Sequence, residues 1–336
     1  MLHLSVLDQS VAGVGKSHGQ TIRDTVAMAE LCEGLGYKRF WVSEHHSHPT
    51  IVGTAPEILL AGIAMRTNRI RLGSAGVMLP HYAPLKVAEQ FRVLEAFAPG
   101  RIDLGLGRAP GTDGRTSLAL NPAAAERPAE FPNDVQDLAA WVSGQPLPEG
   151  HPFAAVQANP QGETSPEIWM LGSSLYGAQV AAHFGLPYSF AWFFTEGQGG
   201  PEAIQIYRDR YQPSERFPEP CPGICVWALA AETEEEAHYH FASRARWQLY
   251  RDRGRYTALE SAETAVNATY SESEIARMEQ LRQTAMVGTP DQVAERIRAL
   301  ATRLDIEEIA VVTWAHDEGV RRRSYELLAK EFGMAG

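Results

Sequence analysis

Apolar stretches of strand length alternate with longer segments of helical period along most of the chain. The strand-like runs lie at 2–8, 39–44, 70–79, 101–107, 167–173, 187–193, 223–231 and 307–315. Segments with apolar positions three or four residues apart predict helices at 21–36, 55–67, 84–100, 131–143, 174–184, 200–212, 233–249, 291–304 and 321–332. Strands that alternate with helices in this way are typical of a parallel sheet with right-handed crossovers.

Eight such strands predict an α/β fold, a closed (β/α)8 TIM barrel. An open, doubly wound sheet is the alternative. The chain shows no linker, so we expect one domain over 1–336. Two looser segments are variable loops in this interpretation: 111–165, rich in Pro, Ala and Gly, and 250–290, a polar helical insertion before the last strand. Because a barrel carries its chemistry in the loops after the strands, the polar residues that follow apolar runs are the candidates.

Composition limits the kinds of binding partner that the protein is expected to have. The formal charge of −11 opposes nonspecific binding to nucleic acid or to an anionic membrane, and no apolar run is long enough to span a bilayer. Cys32, Cys221 and Cys225 form no disulfide or zinc pattern, and the N-terminal residues do not read as a secretory signal. We therefore expect a cytoplasmic protein with a small-molecule substrate. Any phosphate group of a ligand would have to be bound by a few local residues, because the net charge of the protein is negative.

The stretch WVSEHHSHP (41–49) places a carboxylate and three imidazoles directly after the second strand. The cluster contains Glu44, His45, His46 and His48. It is compatible with a metal-dependent hydrolase, with a single histidine that acts as a base, or with a polar loop. A metal site would need ligands from further strand ends, where strand four offers glycine and arginine and strand six offers aromatic residues. A single histidine needs less support, so the leading interpretation contains no metal.

Four glycine- or serine-rich stretches lie at or after the ends of other strands. LGSS (171–174) precedes an alanine-rich helix, and it indicates either a simple helix cap or a phosphate site at the helix N-terminus. GLGRAPG (105–111) is one residue too long for a dinucleotide loop, but it places Arg108 as a fixed cation at a strand end. SAGVMLP (74–80) offers small residues for the approach of a flat ring or for tight packing. SVAGVGKS (10–17) lacks the first glycine of a nucleotide-binding loop.

These segments together resemble the luciferase-like flavin-dependent monooxygenases, the family of bacterial luciferase. The resemblance spans nearly the whole chain in order. It rests on GY-x-R-x-W-V-x-E-H-H (36–46), GSAGVMLP (73–80), PL-x-VAEQF (84–91), PGRIDLGLGRAPGTD (99–113), LGSS (171–174), GLPY (185–188) and VGTPDQV (287–293). Gly107 stands where bacterial luciferase has a reactive cysteine before the matching arginine.

The resemblance implies a (β/α)8 barrel that binds FMN at the carboxyl ends of its strands. His45 matches the family's catalytic histidine. Ala75 and Gly76 match a pair that is joined by a non-prolyl cis peptide beneath the flavin ring. The residues that would hold the flavin phosphate or its edge are Arg108, Gly172, Ser173, Ser174, Leu175 and Tyr176. For the substrate pocket we expect His46, Met78, Trp192 and Phe194, although the two aromatic residues after strand six also fit a core position.

The implied activity is a monooxygenase reaction that uses reduced FMN and O2 on an apolar or carbonyl-containing small molecule. Reduced flavin would come from a separate flavin reductase or from NAD(P)H on the enzyme. The resemblance also implies a homodimer. Two alternatives share the fold: an oxidoreductase that uses a deazaflavin, and a barrel that binds flavin without catalysis.

Overall fold

The computed structural model of the chain describes residues 2–334. The predicted domain range 1–336 includes residue 1 and residues 335–336, which lie outside the described residues. Within 2–334 the strands are β1 (His3–Asp8), β2 (Arg39–Val42), β3 (Arg71–Met78), β4 (Ile102–Gly107), β5 (Glu167–Gly172), β6 (Tyr188–Phe190), β7 (Pro222–Ala230), β8 (Met286–Gly288) and β9 (Glu308–Val312).

Helices follow nearly every strand. They are α1 (His18–Gly34), α2 (Pro56–Ala64), α3 (Pro84–Phe97), α4 (Gly114–Leu120), α5 (Arg127–Ser143), α6 (Leu175–His183), α7 (Trp192–Thr195), α8 (Gly200–Asp209), α9 (Glu234–Asp252), α10 (Ala262–Val266), α11 (Glu272–Thr284), α12 (Pro290–Leu304) and α13 (Glu318–Glu331). Local sequence sets many of their starts. The hydroxyl of Ser17 accepts a hydrogen bond from Gln20 N at the start of α1, and Pro84 opens α3.

The strands close into the predicted (β/α)8 barrel. The order is β6-β5-β4-β3-β2-β1-β9-β7, and pairing of β6 with β7 completes the ring. All of these pairs are parallel, with registers such as Val6 opposite Phe40 and Gly105 opposite Trp169. The parallel order and the closure confirm the barrel and exclude the open sheet. No helix among residues 2–334 is long and apolar enough to cross a membrane.

Three local differences from the sequence prediction bear on the site. Strand β6 ends at Phe190, because the chain turns there into the short helix α7, which contains the aromatic residues placed at the end of strand six. The last strand covers only Glu308–Val312 of the predicted 307–315. The insertion 250–290 contains α10 and α11 as expected, and it also contributes the short strand β8, which pairs with Ala228–Ala230 of β7.

The inside of the barrel is ionic near the amino ends of its strands. Five charged side chains from strand starts meet there: Arg39, Arg71, Asp103, Glu167 and Glu308. Arg39 Nη1 lies 2.9 and 2.8 Å from the two oxygens of Asp103, and Arg39 Nε lies 2.8 Å from Glu308 Oε1. The indole N–H of Trp41 also donates to Asp103, over 2.9 Å. This network occupies the end of the barrel where residues serve stability and not catalysis.

Candidate active site

A cavity of about 1040 Å³ opens at the carboxyl ends of the strands. One side is formed by the loop after β2 and by the ends of β3, β4 and β5. The other side is formed by Trp227 of β7, by the residue Trp314 that follows β9, and by residues of α9. In (β/α)8 barrels this end is where active sites lie, so the cavity is the candidate active site.

Most residues that the sequence singled out meet in this cavity. It is lined by His45, His46, Ala75, Gly76, Met78, Arg108, Gly172, Ser173, Ser174, Tyr176 and Phe194. Leu175 and Trp192 lie outside the lining. Leu175 packs against the core between barrel and helices. Trp192 packs beside Phe190, with ring centroids 6.4 Å apart, because the chain has already turned into α7 at that point.

His45 is held as a neutral imidazole with a defined tautomer. Its Nδ1 lies 3.2 Å from the carbonyl oxygen of Gly111, which can only accept, so Nδ1 carries the proton. Burial lowers the pKa of His45 and outweighs the hydrogen bond to Gly111, which raises it. The other ring nitrogen, Nε2, makes no hydrogen bond within the described chain. A neutral ring with one free acceptor nitrogen can take up a proton.

Glu44 holds the same loop in place through the hydrogen bonds of its buried carboxylate. Its carboxylate, only 1% exposed, accepts hydrogen bonds from the amide of Met78, the hydroxyl of Tyr82 and Nε2 of His46, over 3.1, 2.7 and 2.7 Å. Burial and the Glu44 charge raise the pKa of Tyr82, so this hydroxyl stays protonated as a donor. Glu44 and His46 therefore support the wall, and they tie the loop after β2 to the end of β3.

His48 serves the loop in a different way. Its Nδ1 accepts hydrogen bonds from the amides of Thr50 and Ile51, over 3.1 and 3.0 Å. Within the cluster Glu44 and His46 bond to each other, whereas His45 and His48 bond to backbone groups. No group of three or more His, Cys, Asp or Glu side chains that could hold a metal ion occurs among residues 2–334.

We expect His48 to make folding stability depend on pH. Burial, with a smaller contribution from the nearby His45, lowers the pKa of His48 to about 4. The unfolded chain then binds the proton more readily than the folded one, so the stability contributed by neutral His48 is present above about pH 6.5 and is lost as pH falls towards 4. Thermal unfolding from pH 7 to pH 4 measures this. The His48→Asn variant keeps an acceptor for the two amides, and its melting temperature should fall less. Equal slopes for both proteins would contradict the assignment.

The start of α6 is built like an anion site. Ser174 takes the extended backbone of an N-cap, with φ −143° and ψ 165°, but its side chain makes no capping hydrogen bond. The hydroxyl and the first amides of the helix are therefore available to a ligand. The Arg108 guanidinium approaches from the end of β4 and lies 4.0 Å from the centre of the Tyr176 ring. A cation, two serine hydroxyls and a helix N-terminus suit a phosphate group.

Glycines bring the strands beside this site very close together. A Cβ on Gly105 would lie 2.0 Å from Ser74 O, and a Cβ on Gly76 would lie 2.8 Å from Gly105 O. The peptide bond between Ala75 and Gly76 is cis, as expected. At Gly172 a Cβ would meet only the Cα of Gly177, at 3.8 Å, so the end of β5 leaves open space above the backbone. A flat ring can approach the strand ends here without meeting a side chain.

Several lining residues were not predicted from the sequence. They are Gln9, Trp227, Arg244, Trp247, Arg251, Tyr256 and Trp314. Trp227 and Trp314 stand in apolar runs, in the register that faces the inside of the barrel, and that period of two was a usable signal. Arg244 and Arg251 belong to α9, whose amphipathic pattern gives no indication that one face turns back over the barrel mouth.

The closed (β/α)8 barrel and the cavity at its strand ends define the class of fold, and comparison with known proteins assigns the family. The family model of the luciferase-like monooxygenases matches residues 2–305. The chain belongs to this family. Relatives include YwcH of Bacillus subtilis (42% identical, 99% of both chains), the luciferase-like monooxygenase of Escherichia coli K12 (35%, covering 96% and 95%) and the N-acetyl-S-alkylcysteine monooxygenase of B. subtilis (36%, 98% of both).

Solved structures agree on the fold. The apo form of MsnO8 is similar, with a TM-score of 0.89 and 34% identity over 99% of this chain and 98% of that chain. The oxygenating constituent of 3,6-diketocamphane monooxygenase from Pseudomonas putida, a type II Baeyer–Villiger monooxygenase in complex with FMN, has a TM-score of 0.68 at 20% identity, covering 98% and 97%. An F420-dependent secondary alcohol dehydrogenase reaches 0.66 at 16%, covering 100% and 99%. The likeness to these last two concerns the fold, and their cofactors are a flavin and a deazaflavin.

Proposed function

We propose that this chain is a flavin-dependent monooxygenase that uses reduced FMN and O2 to oxygenate a small molecule with an apolar part. The observation that carries the proposal is the uncapped start of α6 beside Arg108, next to the open backbone of Gly172, within one cavity at the strand ends. The B. subtilis N-acetyl-S-alkylcysteine monooxygenase, 36% identical to this chain, supports a small substrate that contains an alkyl group.

The residues of the cavity fit FMN. In the proposal Ser173, Ser174 and the amides of Leu175 and Tyr176 hold the phosphate, with Arg108 neutralising its charge. Ala75 and Gly76 line the cavity in β3, where the ring system would lie. When bound, the flavin supplies the electrons and the oxygen chemistry.

The protein's own residues then position the cofactor and the substrate, exclude water from the cavity, and accept or donate protons. His45 accepts or returns a proton through Nε2 while Gly111 holds Nδ1. Glu44 fixes the loop that carries His45, through its bonds to Met78 and His46. Met78, His46 and Phe194 form part of the wall against which we expect the substrate to lie.

Titration of the purified protein with oxidised FMN, reduced FMN and F420, side by side, tests the proposal. We expect saturable binding of FMN, with reduced FMN bound more tightly than F420. The same barrel in the F420-dependent alcohol dehydrogenase keeps the deazaflavin as the alternative, and preferential binding of F420 would replace FMN with it. If neither cofactor bound, the monooxygenase proposal would fall.

Arg108 supplies a sharper test of where the phosphate lies. Changing Arg108 to Gln removes a charged donor, and such hydrogen bonds contribute about 1.5–3 kcal/mol. The dissociation constant for FMN should therefore rise about 10- to 100-fold. Riboflavin, which lacks the phosphate, should bind the variant and the wild type equally. The Arg115→Gln variant, on α4 and outside the cavity lining, is the matched control. Equal losses for FMN and riboflavin would remove Arg108 from the phosphate site.

The electron source and the assembly are parts of the same proposal. A separate reductase, or NAD(P)H acting on the enzyme, would deliver reduced flavin. We also propose a cytoplasmic homodimer. The surface of α2 and α3 supports it, because Ile58 of α2, Met65 directly after α2 and Phe97 of α3 are exposed apolar side chains, at 70%, 71% and 52%. We propose further that the chain forms a single domain with its variable segments at 111–165 and 250–290.

A further inference from the structure

Arg244 is a buried cation in the wall of the active-site cavity. It lies in α9, is only 8% exposed, and also borders a smaller adjoining pocket of about 70 Å³. Three indole rings surround the guanidinium carbon, at 5.9, 5.0 and 5.1 Å from their centres: Trp227, Trp247 and Trp314. The rings offset part of the cost of burial, but they do not neutralise the charge.

The hydrogen-bonding capacity of Arg244 is largely unused. Nη1 donates to Gln248 Oε1 over 2.5 Å. Nε is buried without a partner, and Nη2 makes no hydrogen bond within the described chain. Nε and Nη2 form one edge of the guanidinium, the edge that binds a carboxylate through two parallel hydrogen bonds. The indole N–H of Trp227, beside it, is likewise buried without a partner.

The charged side chains around Arg244 do not neutralise its positive charge. The carboxylates whose charges act on Arg244, Glu196 and Asp252, are held by Arg277 at 2.5 and 2.9 Å. Among residues 2–334, no carboxylate lies within ion-pair distance of Arg244 itself. With Arg251 also close, the group contains three arginines and two carboxylates, which leaves one positive charge uncompensated. Burial lowers the pKa of Arg244 to about 9, and the guanidinium stays protonated at neutral pH.

This cation is separate from the phosphate site. Arg108, Ser173 and Ser174 follow β4 and β5, whereas Arg244 contacts Trp227 of β7 and Trp314 after β9. In the order of the ring, β6 separates β5 from β7 on one side, and β3, β2 and β1 separate β4 from β9 on the other. The two positive sites thus face the cavity from different arcs of the barrel mouth.

We propose that Arg244 binds a carboxylate of the substrate, whose apolar part lies along the tryptophan walls. The inference rests on the proposed function, since it names the chemical class of the molecule that this enzyme oxygenates. A buried, planar donor edge without a partner inside the protein suits a carboxylate brought by a ligand. The aromatic surroundings suit the apolar carbon next to it.

Calorimetric titration with two matched pairs of probes tests the proposal without catalysis. The pairs are 4-phenylbutanoate with 4-phenylbutanamide, and octanoate with octanamide. We expect wild-type protein to bind each carboxylate at least about tenfold more tightly than its amide. In the Arg244→Gln variant this preference should vanish. Arg244→Lys, which keeps the charge but loses the planar fork, should retain part of it, and it serves as the folded variant if the glutamine variant does not fold.

The matched control is Arg246→Gln. Arg246 lies on the same helix but pairs with Glu260 and does not line the cavity, so the preference should remain. The proposal is overturned if the wild type shows no preference, if it binds none of the probes, or if the Arg244 variants keep the full preference. Titration of FMN into the same proteins separates this outcome from failure of the proposed function. Absence of FMN binding rejects the flavin chemistry, whereas loss of the acid preference alone rejects only the carboxylate site.

Discussion

Replacing Asp103 by alanine should lower the free energy of unfolding by about 3–5 kcal/mol, the usual cost of removing one partner from a buried ion pair. Asp103 is fully buried and accepts from Arg39, Arg71 and Trp41. The variant leaves two guanidinium groups short of a carboxylate and one indole N–H without an acceptor. Because a domain of ordinary stability has about 5–15 kcal/mol in total, this one change should leave the protein close to its folding threshold.

Urea unfolding followed by circular dichroism measures the effect, and two variants bracket it. Asp103→Asn keeps an oxygen for Trp41 but removes the charge, so its loss should lie between wild type and the alanine variant. Asp209→Ala, at an exposed end of α8, removes a carboxylate that accepts only from Gln205 in the described structure, and it should change stability by less than about 0.5 kcal/mol. A loss below about 1 kcal/mol for Asp103→Ala would show that the remaining carboxylates compensate the arginines.

Asp103 also illustrates what the sequence could and could not reveal about the fold. The apolar runs predicted the barrel because parallel strands are covered on both faces and so read as continuous hydrophobic segments. Charged residues lie inside two of those runs, RFWVSE and RIDLGLG, but no internal ion network was predicted from them, because Asp103 lies 64 positions from its partner Arg39 and no local pattern joins the two. The short strand β8 has three residues, too few for any periodicity.

The residues of the candidate site likewise fall into those that the sequence could predict and those that it could not. Residues near or just after the carboxyl ends of strands, such as His45, Gly76, Arg108 and Ser174, meet at one end of the barrel because all parallel strands finish there. Trp192 was misplaced relative to the cavity, because its apolar run continues unbroken from β6 into a helical turn. Arg244 could not be found from the sequence, because its role depends on how α9 packs over the barrel and on which nearby carboxylates are already paired.

The second large effect is expected from a substitution of His45, in the loop after β2. Changing His45 to Asn should slow the oxidation of bound reduced FMN by O2 by about 100-fold or more, the usual contribution of a positioned acid–base group. Asparagine is chosen because its amide N–H reproduces the hydrogen bond from Nδ1 to Gly111, while Nε2 is lost. The loop should therefore keep its structure, and FMN affinity should stay within about threefold of wild type.

The pH profile distinguishes proton transfer from a merely structural role. Burial lowers the pKa of His45, so the neutral ring prevails at neutral pH and is lost only as pH falls below the ordinary range for histidine. Wild-type oxidation rates, measured by stopped-flow absorbance of the flavin, should decrease on that acidic limb, and the His45→Asn variant should lack it. His316→Gln removes another strand-end histidine, one that donates to Val14 O outside the cavity lining, and it should retain both the rate and the limb. An unchanged rate in His45→Asn would mean that the proton moves through another group, and the assignment of His45 would have to be abandoned even if FMN binds as expected.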